Sequence, residues 1–318
     1  MSNNPFSADP EIALRIATRR AAIDEPLQPA IQSTLQKGAR DTARNEGSVL
    51  LKADVDALCA QFDIATPQDL MLLSLPSAQT IARPPISDFH VGSVGLEAET
   101  GNLIFGGNVE FPRTHLGFTL HGEGFVFTRA FSRGTTISVI AIGEAHPCAH
   151  CRQYLSEFAA TRDLVLIDPL GHRLSMGELL PWPFDPAYLG EPGIVANAMP
   201  RPDLKLKADA NPAVLARLLH AGRRAHAPYS KCPGALALKL SDGQIVTGAS
   251  IESVAFNPTI APVQAAMVDL LAHGYTYADI AEAFLATTVG GKVDYSISTG
   301  ELLAAMAPAA NLTIFNWS

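Results

Sequence analysis

A repeat inside the chain limits its folding more than any other feature. The run Gly92-Ser-Val-Gly-Leu-Glu-Ala-Glu-Thr-Gly101 resembles Gly234-Ala-Leu-Ala-Leu-Lys-Leu-Ser-Asp-Gly243, and Gly106-Gly-Asn-Val-Glu110 resembles Gly248-Ala-Ser-Ile-Glu252. Gly92, Gly101, Gly106 and Glu110 all recur 142 positions later. Just upstream, with one residue deleted, Pro85-Ile86-Ser87 has its counterpart in Pro228-Tyr229-Ser230. Such self-similarity marks one structural unit used twice, and 318 residues accommodate two units and an appendage.

Local patterns say what the unit is. Pro10 to Ala22 and Ala53 to Phe62 carry apolar residues at helical intervals, and Thr66-Pro67 reads as a helix cap followed by the first helical residue. From Phe89 the pattern changes. Strands are expected over 89–96 and 103–105 around a turn at 99–102, then a buried helix over 119–129. A β-branched strand over 136–142, an amphipathic helix over 151–160 and a short strand over 164–167 follow. Strands alternating with helices predict an α/β layered domain. Proline and glycine cluster from Pro181 to Pro202, as in a linker. The expected organisation is a helical N-terminal domain over 1–66, a catalytic domain over 67–187, a linker over 188–205 and a degenerate second domain over 206–318.

Composition narrows the function. Hydrophobic residues make up 47% and charged residues 17%, enough for a sizeable core. The 23 basic and 31 acidic residues leave a net charge of −8. A protein that grips a nucleic-acid backbone usually carries a basic excess, so a small molecule is the expected partner, and neither nucleic acid nor membrane. The opening run MSNNPFSADP has no apolar core of a signal peptide. No stretch reaches the roughly 18 apolar residues of a membrane span, and a cytoplasmic location is expected. Four cysteines, at 59, 148, 151 and 232, make no disulfide framework. Two of them sit three apart, which in a reducing compartment reads as metal or redox chemistry.

The chemistry concentrates in His121-Gly-Glu123 and Pro147-Cys-Ala-His-Cys151. One imidazole and two thiolates make a three-ligand zinc site whose fourth position is open to water, the feature that separates catalytic from structural zinc. Pro147 suits the first turn of a helix, so Cys148 and Cys151 would lie where free amides and the helix dipole favour thiolates. Glu123 can face the open position without ligating and can move protons there. Other arrangements use the same residue types. Cys59 or Cys232 could complete a four-ligand structural site, and His146 or His150 could ligate in place of His121. His150, between the thiols, should point away, and Cys59 and Cys232 read otherwise as small buried hydrophobes.

His-x-Glu followed by Pro-Cys-x-x-Cys is the signature of zinc nucleobase deaminases. Together with Phe89-His-Val-Gly92, Gly107-Asn-Val-Glu-Phe-Pro112, Cys151-Arg-Gln153 and Ala255-Phe-Asn-Pro258, it makes the chain resemble the cytidine deaminase family in its long, two-module, homodimeric bacterial form. The resemblance implies two tandem copies of a three-layer α/β/α fold behind a small helical segment, and a homodimer. It also implies one zinc per chain, because that family's second module has lost its site. Here Thr259-Ile-Ala-Pro-Val263 stands in place of Thr119-Leu-His-Gly-Glu123. The implied roles are His121, Cys148 and Cys151 on zinc, Glu123 as proton shuttle, Asn108 and Glu110 on a ribose hydroxyl, and Phe89 and Phe184 against the pyrimidine. The amide of Gly122 would meet the same ring, and Phe256 would be lent to the partner's pocket.

Gly122 and Gly124 depart from the family's usual alanine and glutamine. The missing methyl at 122 predicts a wider pocket beside the exocyclic amine, and the glycines predict a looser helix start around Glu123. The expected reaction is hydrolytic deamination of cytidine and deoxycytidine to uridine and deoxyuridine with release of ammonia. Its rivals are a polynucleotide cytosine deaminase, which would need a basic, aromatic groove, and a weak nucleoside-binding homologue with structural zinc.

Overall fold

A computed structural model describes residues 6–143, 146–195, 202–206 and 210–317. The chain opens with α1 (Pro10–Gln36), β1 (Val49–Leu50), α2 (Lys52–Gln61), α3 (Pro67–Leu73) and α4 (Leu75–Gln79). The first module continues through β2 (Gly92–Glu97), β3 (Leu103–Gly107), α5 (Gly122–Arg133), β4 (Ile137–Ile142), α6 (Ala149–Leu155), β5 (Val165–Ile167), β6 (Arg173–Ser175) and α7 (Met176–Leu179). The second comprises α8 (Pro212–Gly222), β7 (Ala235–Leu240), β8 (Ile245–Ala249), α9 (Pro262–Ala272), β9 (Ile280–Thr287), α10 (Ser296–Met306) and β10 (Asn311–Asn316). The strands make one sheet in the order β1-β3-β2-β4-β5-β6 and another in the order β10-β9-β7-β8. In each, an antiparallel hairpin (β2–β3, β7–β8) pairs antiparallel with β4 or β9, and a parallel strand, β5 or β10, follows. The repeat is therefore two tandem α/β domains.

Strand register sharpens the repeat. Ser93 pairs with Gly106, and Leu236 pairs with Gly248. β3 and β8 thus correspond at 142 positions, β2 and β7 at 143. The larger offset also relates two left-handed residues, Asp88 at φ 55 and Lys231 at φ 60. The sequence comparison puts the one-residue deletion between Ser87 and Gly92. The structure puts it in the second hairpin's turn, where Leu240 N–H bonds Gln244 O while Glu97 N–H bonds Asn102 O. A turn absorbs a lost residue, whereas a deletion within the strand would flip its side chains to the other face.

Other elements differ from their expected spans. α1 runs on through Pro26 and Pro29, burying Ile16, Leu27 and Ile31; this burial outweighs the hydrogen bonds the prolines remove. The leading segment also contributes β1, which pairs with β3 in the first module's sheet. The helix expected over 151–160 is α6, which ends at Leu155. Residues 196–201 of the expected linker, and residues 1–5, lie outside the described residues.

The modules share one apolar core in which Phe125 and Phe127 of α5 lie with Val263, Met267 and Leu270 of α9. Through this core runs a buried ion pair. Arg129, 0% exposed, donates to Asp269 Oδ1 at 2.6 Å, Asn45 Oδ1 at 2.9 Å and Gly47 O at 3.0 Å. Burial works against ionisation of Asp269, but His273 and Arg129 beside it hold its carboxyl well below the usual range. Removing one partner strands the other charge in the core. Arg129→Met is expected to cost about 3–5 kcal/mol in urea unfolding, with part of the loss recovered in Arg129→Met/Asp269→Asn. An unchanged unfolding midpoint in the single variant would show that the pair does not hold the modules together.

Candidate metal centre and adjoining cavity

Two helix starts build the metal set. His121 is the N-cap residue of α5 and Cys148 that of α6, while Cys151 lies one turn into α6. His121 Nδ1 stands 3.6 Å from Cys148 Sγ and 3.4 Å from Cys151 Sγ. Zinc bonds of about 2.3 Å to sulfur and 2.05 Å to nitrogen, opened to the tetrahedral angle, separate those atoms by about 3.6 Å. The three side chains therefore fit zinc. Hydrogen bonds from Cys151 and His121 bring the Cys148 thiol down to about 3, and the same hydrogen bond between the two side chains, with burial, pushes Cys151 up.

Among the described residues, two groups have a metal-binding arrangement: His121 with Cys148 and Cys151, and His146 with Asp168 and His172. Cys59 and Cys232 join neither, and His150 turns away to bring Nε2 within 3.1 Å of Asn257 O. In the second module Ala261 and Tyr295 are the N-cap residues of α9 and α10. The Tyr295 ring lies so close to Gly234 that a Cβ there would meet it at 2.5 Å, so an aromatic side chain packs against the counterpart of β2.

A cavity of about 450 Å³ opens onto the first metal set. Phe89, Asn108, Glu110, Glu123, His121 and Cys148 all line it, as does His146. Glu123 is 3% exposed, and burial pushes its carboxyl up, toward the protonated form. Asn108 Oδ1 accepts from Val91 N–H and its Nδ2 donates to Phe89 O. Glu110 accepts from the backbone N–H groups of Ile86 and Ser87 and from Ser87 Oγ. Glu252 repeats all three bonds with Tyr229 and Ser230 in the module that has no metal set. Holding this loop is thus a structural duty of the glutamate in both modules. The cavity is confined to the first module, where an asparagine replaces Ser250 and the loop carries Phe89 in place of Cys232.

Gly122, Phe184 and Phe256 do not line this cavity. Phe184 stacks on Tyr188 at 5.7 Å, and Phe256, 62% exposed at φ 63, leans on Tyr229. The steric reading of Gly122 is overturned. A Cβ there would clash with Ser93 Oγ, so the missing methyl makes room for Ser93 on β2 and not for a substrate. The open space lies at Gly124, where a Cβ would meet nothing within 4 Å. Gly124 lines a second cavity of about 220 Å³ with His121, Cys148, Cys151, Tyr154 and Pro258, so both cavities adjoin the metal set.

Sequence reasoning missed Glu157. Fully buried just after α6, it accepts from His226 Nε2 at 2.7 Å, Tyr229 OH at 2.7 Å and Val254 N–H at 2.8 Å. It thereby ties the helix bearing Cys151 to the loop bearing Phe256. Its partners lie 69 to 97 positions away, beyond any local pattern.

Models of the family described as "Cytidine and deoxycytidylate deaminase zinc-binding region" match residues 65–167 and 176–299. The chain is 33% identical over 246 residues to a cytidine deaminase of Vibrio atlanticus, covering 77% of this chain and 82% of that one. It is 30% identical over 300 residues to the cytidine deaminase of Vibrio parahaemolyticus, covering 91% of this chain and 100% of the relative. With that of Cronobacter sakazakii it shares 37% over 213 residues, 67% of this chain and 70% of the other.

The contact at Gly122 predicts a coupled pair. Gly122→Ala alone is expected to cost about 1–3 kcal/mol by overpacking, and Ser93→Ala, which removes the opposing oxygen, should recover most of that in the double variant. Additive effects in denaturant unfolding would show that the two positions do not touch.

Proposed function

Because this chain belongs to the cytidine and deoxycytidylate deaminase family, we propose that it deaminates free cytidine and deoxycytidine to uridine and deoxyuridine, as a homodimer with one zinc per chain. The observation that carries this reading is one cavity that joins the metal set and Glu123 to Asn108, Glu110 and Phe89. Zinc held by His121, Cys148 and Cys151 would supply a Lewis acid that acidifies water near neutral pH. Glu123 takes one proton from the attacking water and passes it to N3 of the ring, then takes the second from the hydroxyl added at C4 and delivers it to the amine, which leaves as ammonia while the C4 carbonyl forms. Its raised pKa suits a group that must both take and give a proton.

Asn108 and Glu110 offer the donor and the acceptor that a ribose hydroxyl needs. Phe89, 51% exposed at the rim, covers one face of the base. Membership of the family is what supports Phe184 against the pyrimidine and the Gly122 amide against its polar edge, since neither lines the cavity. Phe256 projects from the second module, and its exposure supports insertion into the partner's pocket. A net charge of −8 favours a free nucleoside over a polynucleotide.

Zinc-loaded protein is expected to release ammonia from cytidine and deoxycytidine and none from a single-stranded oligonucleotide. Glu123→Gln should retain zinc and lose at least about 10²-fold in turnover; turnover within a few-fold of the parent would remove Glu123 from the proton path. Metal analysis should find one zinc per chain, lost in Cys151→Ser, and sedimentation at assay concentration should find a dimer. A fully active monomer would remove Phe256 from the site.

A further inference from the structure

Tyr295 stands in the second module where Cys148 stands in the first. Cys148 is the N-cap residue of α6, the helix after β4, and Tyr295 is that of α10, the helix after β9. In place of a thiol it brings an aromatic ring, and the residue is 4% exposed. A Cβ on Gly234 would meet Cδ2 of this ring at 2.5 Å and Cε2 at 2.6 Å. The same Cβ would meet Pro262 Cγ at 3.0 Å. The ring therefore lies on Gly234, beside the start of α9, the helix whose counterpart begins at His121.

Strand register identifies what surrounds the ring. At the offset of 143 that relates β2 to β7, Gly234 is the counterpart of Val91 and Cys232 that of Phe89. The hydrogen bonds agree. Val91 N–H bonds Asn108 Oδ1 at 2.9 Å, and Gly234 N–H bonds Ser250 Oγ at 3.1 Å. Three residues act on the Tyr295 phenol. Burial pushes its pKa up, Glu252 pushes it further, Ser250 draws it down and Cys232 raises it. These three are the counterparts of Glu110, Asn108 and Phe89, all of which line the cavity of about 450 Å³. Val91 lines it too. Its counterpart is a glycine, and the space a side chain would need there is taken by the Tyr295 ring.

We infer that Tyr295 is a built-in occupant of the second module's counterpart of the nucleoside cavity, and that its ring closes this cavity to free ligands and leaves one nucleoside site per chain. The word nucleoside rests on the deamination proposed above; the occupancy does not. What fills the cavity defines what it would take. Without the ring, an apolar slot remains with Ser250 and Glu252 at its polar end. Cavities opened in packed cores accept ring-sized molecules, and this one suits a small flat ring that bears one hydroxyl, a phenol. A nucleoside carries a sugar as well as a ring and is larger than the side chain removed.

The probe is p-cresol, the tyrosine side chain as a free molecule. In the full-length, zinc-loaded chain, Tyr295→Ala is expected to lower Tm by about 5–10 °C, as truncation of a buried aromatic does. p-Cresol should raise the variant's Tm by about 3 °C at ten times its dissociation constant. The parent and Tyr295→Phe, in which a ring already fills the cavity, should not move. A Tyr295→Ala chain that folds only with p-cresol present would support the inference equally. A Tm raised alike in parent and variant, or a folded variant that binds no p-cresol, would overturn it. Gly234→Ala reads the same contact with the ring in place. Its Tm should fall by several degrees, and an unchanged Tm would put the ring elsewhere and overturn the inference. That variant decides the matter where Tyr295→Ala folds under neither condition. Calorimetry with cytidine on zinc-loaded Glu123→Gln protein should count one site per chain; two sites with Tyr295 intact would show the second cavity open and overturn the inference. Cytidine that binds nowhere would remove the proposed reaction and leave the p-cresol result standing.

Discussion

The site depends on two helices beginning at one point. α5 and α6 each start with a residue of the metal-binding group as N-cap, His121 and Cys148. An N-cap side chain projects beyond the helix end and lies where free amides concentrate positive potential. Two such ends facing each other bring an imidazole nitrogen within 3.4–3.6 Å of two sulfurs. The sheet beneath sets the approach: β2 and β3 carry α5, and β4 feeds the loop that leads to α6. Ser93 on β2 fills the place a methyl at 122 would take, so even the first turn of α5 is fitted to the strand below.

The second module keeps the frame and, among its described residues, has no metal-binding group. It retains the glutamate clamp, the left-handed residue before Cys232 and a helix that begins at Ala261 in place of His121. These features hold a loop against a sheet, a need that persists without substrate. One contribution of the module is mechanical. Arg129 and Asp269 lock α5 to α9, and Glu157 fastens the end of α6 to the loop that presents Phe256. Buried charges and carboxylates at these joints are costly to leave unpaired, so they tolerate one relative placement of the modules.

The pocket shows how a buried polar residue serves two ends. Asn108 and Glu110 are each less than a tenth exposed, and most of their hydrogen bonds go to the loop from Ile86 to Val91. They therefore fix the position of Phe89 before any ligand arrives, which lowers the ordering cost of binding.

By itself the sequence determined the doubled architecture and singled out His121, Cys148 and Cys151, which the structure brings together in an arrangement that could hold a metal, with Glu123 beside them in one cavity. Each of these is written in short-range spacing, and a helix N-terminus or a Cys-x-x-Cys turn converts spacing directly into geometry. Phe89, Asn108 and Glu110 were legible only through resemblance, since an aromatic, an amide and an acid near a turn have no local signature. Only the tertiary structure decided that the deletion lies in the second hairpin's turn and that Cβ of residue 122 would face Ser93. It also decided that Gly124 opens onto a second cavity, which shares His121 and Cys148 with the first, and that Glu157 collects partners from distant parts of the chain. Those facts depend on which faces of two sheets and their helices meet. Burial across a packed interface, unlike periodicity along one element, leaves no mark at any fixed spacing.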